Sequence, residues 1–121
     1  MTRTLDIARD DRAPSEARHA LRELAPRLDA GVLDDAGLLV SELVANSVRH
    51  GTGDHVRVTL DPGPDGALRC EVTDEGHGFL PLSRPVGTRD DGGWGLFLVE
   101  TLSSAWGVRE GSTHVWFQLT P

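Results

Sequence analysis

Lysine is absent from this chain: its twelve basic residues are all arginine. A P-loop sets a lysine ammonium on nucleotide phosphates, so nucleotide binding of the Walker type is excluded. Lysine nucleophiles and Schiff-base chemistry are excluded with it. Cysteine is nearly absent too. Cys70 stands alone, which rules out an internal disulfide and a cysteine-rich metal site. It reads as a small buried hydrophobe in a strand, with a catalytic thiol as the other option. No apolar run approaches the roughly 18–20 residues that span a bilayer. "MTRTLDIARDDR" carries acidic residues where a signal peptide has its apolar stretch, so a cytoplasmic chain without membrane contact is expected. Positive charge is scarce as well. With a net charge of -7, the chain has no basic surface for a phosphate backbone, and nucleic acid is set aside as a direct ligand. His19, His55, His77 and His114 lack the spacing of a zinc site.

What is present fits one domain over residues 1–121, with residues 1–13 either an edge strand or a flexible tail. There is no internal repeat. A short strand is expected around Leu5 to Ile7. A helix starting near Pro14 or Ser15 gathers Ala17, Leu21, Leu24 and Leu28 on one face, and Pro26 predicts an earlier end or a kink. "DAGVLDD" reads as a connection, with Asp34 or Asp35 capping a second helix that runs to about His50. The period then changes from helical to alternating. "HVRVTLDP" and "LRCEVTD" flank the turn "DPGPDG" and predict an antiparallel hairpin. "GLFLVETLSSAW" reads as a third helix and "THVWFQLT" as a closing strand. Helices on one face of a mixed, mostly antiparallel sheet make an α+β two-layer sandwich.

Three features carry chemistry. In "SELVANSVRHG", Glu42, Asn46 and His50 recur every four residues and so share one stripe of a helix. A solvated polar face is the plain alternative. In "DEGHGF", alternation sets Asp74 on the face of Cys70 and Val72, directed inward at a strand end, where a carboxylate needs a donor. Gly76 and Gly78 then clear the loop beside it; a simple turn would look the same. In "DGGWGLFLVE", glycines open a helix and direct free N–H groups and the positive end of its dipole at one point, a natural phosphate site. Glycines also serve as plain hinges.

In that order these elements resemble the GHKL ATP-binding superfamily of gyrase-type topoisomerases, Hsp90-type chaperones, histidine kinases and anti-sigma-factor kinases. "ELVANSVRHG" is similar to its N box, "DEGHGF" to its G1 box and "GGWGLFLVE" to its G2 box. "GSTHV" is close to the family's G-T-x-V, with Ser112 intervening between Gly111 and Thr113. "ARHALREL", "LLVSELVANSVRHG" and "GLFLVETLSSAWGV" look most like the small anti-sigma-factor serine kinases of the actinobacterial type, and an arginine-only composition suits a GC-rich genome.

The resemblance implies the α+β fold of that superfamily, with ATP and Mg²⁺ as cofactors. It implies Asn46 as the Mg²⁺ ligand and Glu42 as the general base on an attacking hydroxyl. Asp74 would accept from the adenine amino group, and Thr113 would support that edge. Gly76 and Gly78 would let the adenine close in. Gly93 and Gly95, with the N–H groups from Leu96 onward, would hold phosphate. Residues 79–91 would form a lid, in which Arg84 and Arg89 either meet phosphate or are simply solvated. His50 is a further candidate ligand. The implied function is a serine/threonine protein kinase and anti-sigma factor that binds a sigma factor and phosphorylates an anti-sigma antagonist. A non-catalytic ATP-binding module that docks a partner is the alternative. Relatives in the subgroup commonly form homodimers. A histidine kinase, which needs a phospho-accepting helix pair before Glu42, is not expected unless this sequence is a fragment of something longer.

Overall fold

The computed structural model describes residues 2–50, 53–74, 93–108 and 114–121, with backbone alone for residues 50 and 93–96. Along the chain run β1 (Arg3–Ala8), α1 (Ala13–Arg22), a 3₁₀ turn (Ala25–Arg27), α2 (Ala30–His50), β2 (His55–Pro62), a second 3₁₀ turn (Pro64–Gly66), β3 (Leu68–Asp74), α3 (Gly93–Leu102), β4 (Ala105–Val108) and β5 (Val115–Leu119). Alternation fixes the strands. Val56, Val58 and Leu60 of β2, Leu68, Cys70 and Val72 of β3, and Val115, Phe117 and Leu119 of β5 are all buried, while the residues between them reach solvent. The sheet order is β1-β2-β3-β5-β4, and every pairing among the described strands is antiparallel.

α2 is the central helix of the other layer. Val32, Ala36, Leu39, Val40, Leu43 and Val44 form its buried stripe, and it touches α1, α3, β2, β3 and β5. α1 packs Ala13, Ala17, Ala20 and Leu21 inward. It ends at Arg22, ahead of Pro26, as a ring without an N–H requires. The result is the expected α+β sandwich, with an apolar layer between helices and sheet.

Two boundaries differ from the sequence reading. α2 starts at Ala30, not after Asp34 or Asp35, because the cap is Asp29. Its Oδ2 accepts from the N–H groups of Gly31 at 2.9 Å and Val32 at 3.2 Å. Gly31, a poor helix former, disguises this first turn. The third helix does not continue to Trp106. α3 stops at Leu102, where the Ser103 N–H donates to the Val99 carbonyl at 3.0 Å and the Ser104 N–H to the Gln118 carbonyl at 2.9 Å. Ala105–Val108 then pairs with β5 as β4. Gly107 faces Trp116 there, and a Cβ would stand 2.6 Å from the indole Nε1.

The Asp29 N–H also donates to the Gly66 carbonyl at 3.1 Å, joining the start of α2 to the β2–β3 turn. Gly66 has φ +83, and a Cβ would lie 2.7 Å from the Asp29 nitrogen. Gly66→Ala therefore combines a left-handed conformation with a backbone clash. It is expected to cost about 2–3 kcal/mol of unfolding free energy, read from urea titration.

Candidate functional site

The sheet register brings one end of several elements together. Val56, at the start of β2, pairs with Asp74 at the end of β3, and Val115, at the start of β5, pairs with Val72. Ala8 of β1 pairs with His55, and α2 leads into β2 at the same end. A cavity of about 410 Å³ at this end is lined among the described residues by Asp6, His55, Arg57 and Thr73, on the sheet face turned away from the helices, together with Asp74. Glu42 and Asn46 do not line it.

Period two along β3 sets Asp74 on the inward face, 8% exposed. On α2, Asn46 is 1% exposed while Glu42, one turn earlier, is half-buried. The Asn46 Oδ1 accepts a 2.7 Å hydrogen bond from Arg49 Nη2, three residues on. A guanidinium only donates, so this contact fixes which end of the amide carries oxygen. The stripe is thus not a uniformly solvated face, since its middle member is enclosed. His50 closes α2 by its backbone, and its side chain lies outside the described residues.

Over residues 7–119 the sequence matches the family model of the histidine kinase-like ATPase domain. The chain belongs to the histidine kinase-like ATPase family. Membership implies that this domain binds ATP. Among solved structures, the RsbU and RsbW domains of Rv1364c from Mycobacterium tuberculosis are similar to it, with 25% sequence identity and a TM-score of 0.70. That match covers 98% of this chain and 31% of the other, so the chain spans about a third of its neighbour's length. No curated protein matches the chain in sequence. Among the described residues of this ATPase domain, no helix is long and apolar enough to cross a membrane.

Within the ATPase domain, Gly93 and Gly95 belong to the first turn of α3. The N–H groups of residues 93–96 are the four that an α-helix leaves without an intrahelical acceptor. The Leu96 side chain lies outside the described residues, as do Gly76, Gly78, Arg84, Arg89 and Thr113. Cys70 is fully buried, and burial together with the neighbouring Glu71 carboxylate pushes its thiol far above the ordinary range. That leaves a protonated, enclosed sulfur with no nucleophilic use.

Two residues at this end escaped the sequence reading. Arg49 had a local signal, since three residues from Asn46 is a neighbouring position on a helix. Arg9 had none. It follows β1 and reaches the last turn of α2, where its Nη2 donates to the Ser47 carbonyl at 2.7 Å, across 38 residues of chain.

Proposed function

We propose that this single domain is an ATP- and Mg²⁺-dependent serine/threonine protein kinase acting as an anti-sigma factor in the cytoplasm. It binds a sigma factor, and it phosphorylates an anti-sigma antagonist to keep that antagonist away; the working form is a homodimer. The observation that carries the reading is the enclosed Asn46, its amide oxygen oriented by Arg49, one turn from the half-buried Glu42 and at the sheet end where Asp74 closes β3. In this reading Asp74 accepts from the adenine amino group, Thr113 supports the same edge, and Gly76 and Gly78 let the base close in. Gly93, Gly95 and the N–H of Leu96 hold phosphate, joined by His50, Arg84 and Arg89.

Asn46 offers Mg²⁺ a hard oxygen, the donor that cation prefers. Bound there, the cation would supply neutralisation of phosphate charge. Glu42 accepts the proton of the acceptor hydroxyl as that oxygen bonds to the γ-phosphorus, and ADP leaves with the bridging oxygen.

The non-catalytic reading has one observation in its favour. Arg49 holds the same Asn46 oxygen that a metal would need, and two cations on one atom repel unless phosphate lies between them. Titration with ATP, with and without Mg²⁺, in the wild type and in Asn46→Ala tests both. The kinase reading expects Mg²⁺ to tighten ATP binding and Asn46→Ala to remove that gain, about 10- to 100-fold. It also expects γ-phosphate to appear on a serine or threonine of an antagonist protein. A gain that survives Asn46→Ala refutes the ligand assignment. Binding without transfer favours the docking module.

A further inference from the structure

The last four carbonyls of an α-helix have no intrahelical donor, and the end of a helix frays unless something else meets them. In α2 those carbonyls begin at Ser47, the residue after Asn46, and the donors come from across the molecule. Arg9 sets Nε at 2.9 Å and Nη2 at 2.7 Å from the Ser47 carbonyl, with Nη2 also 3.1 Å from the Val48 carbonyl. Its Nη1 donates to the Gly53 carbonyl at 2.5 Å, and its own N–H to the Asp54 carbonyl at 2.9 Å. One side chain thereby joins the end of β1, the final turn of α2 and the approach to β2. Ser47 is 2% exposed, and its hydroxyl makes no hydrogen bond among the described residues, so its carbonyl is the group through which this turn is held. The guanidinium also brings positive charge to the negative end of the helix dipole.

We propose that Arg9 is a positioning residue for nucleotide binding: by fixing the Ser47 turn it sets the place of the Asn46 oxygen. The proposal rests on the reading of Asn46 as the metal ligand. Mg²⁺ demands nearly ideal octahedral geometry, so its affinity falls steeply when one ligand drifts by tenths of an ångström. Asp74 is placed by the register of β3 against β2, where it pairs with Val56, whereas the Arg9 side-chain bonds described above end on Ser47, Val48 and Gly53, before β2 begins. Arg9 therefore governs the metal-dependent part of ATP affinity and leaves the metal-free part alone. A fork of donors is needed for this. Lysine would bring the charge but only a point contact, and would restore the placement in part.

The test is calorimetric titration of the full chain with ATP, in Mg²⁺ and in chelator, for the wild type, Arg9→Met and Arg9→Lys. Each protein is measured well below its own melting temperature. Arg9→Met is expected to lose about 10-fold of the affinity gained from Mg²⁺ and to keep its metal-free affinity, with Arg9→Lys intermediate. A purely structural clamp would lower the melting temperature and leave the Mg²⁺ gain intact, and that result overturns the proposal. Equal losses with and without metal overturn it too. If Arg9→Met does not fold, Arg9→Lys alone decides by the same comparison. A wild type that gains nothing from Mg²⁺ instead refutes the reading of Asn46, and the proposal falls with it, so the two failures are told apart by the wild-type titration.

Discussion

Asp74→Asn is expected to weaken ATP binding about 100-fold, in the presence or absence of Mg²⁺. The side chain is enclosed at the end of β3, on the face that meets the helices. An ionised carboxylate only accepts hydrogen bonds, so an amino group is its natural complement. The amide keeps the shape, gives up the charge and turns one accepting atom into a donor. Losing a charge-assisted hydrogen bond and leaving a mismatched group behind amounts to about 2–3 kcal/mol, which is the stated factor. Calorimetry with ATP and with inosine triphosphate reads it directly. The wild type should prefer ATP, because hypoxanthine presents a carbonyl where adenine presents the amino group, and Asp74→Asn should erase that preference. If the variant keeps both affinity and preference, Asp74 does not read the base.

The second large effect falls on rate. Glu42→Gln is expected to slow γ-phosphoryl transfer about 100- to 10,000-fold and to leave ATP affinity unchanged. Glu42 sits one turn before Asn46 on α2 and is half-buried, enclosed enough to hold a direction and open enough to meet an acceptor hydroxyl. Glutamine preserves the hydrogen-bonding shape but cannot accept the proton. Phosphorylation of the antagonist followed over time, beside an ATP titration of the same variant, separates the two quantities. A variant that transfers phosphate at the wild-type rate would remove Glu42 from the chemistry. A variant that loses binding would make it a ligand and not a base.

Regular periods made much of this molecule legible. Alternation in "LRCEVTD" was enough to direct Asp74 inward, since a strand cannot turn Cys70 and Val72 to the core without taking Asp74 with them. The four-residue step in α2 gave the stripe, and the structure added that Asn46, its middle member, is enclosed. Where period was interrupted, tertiary contacts decided. Asp34 and Asp35 looked like caps, but Asp29 had the right geometry, and only the apolar stripe from Val32 onward reveals a helix running through a glycine. β4 has four residues, too few to display alternation, and becomes a strand because β5 lies beside it. Arg9 lies 38 residues from Ser47, and no local pattern announces such a contact.

α2 is attached to the rest of the backbone at both ends. Its first turn is joined through Asp29 to Gly66 in the β2–β3 turn, and its last through Arg9 to the end of β1. A 21-residue helix is roughly 30 Å long and stiff along its axis. Held this way it behaves as a strut, and a push at one end arrives at the other as a push. The β2–β3 turn and the turn that holds Asn46 therefore lie toward opposite ends of one stiff element.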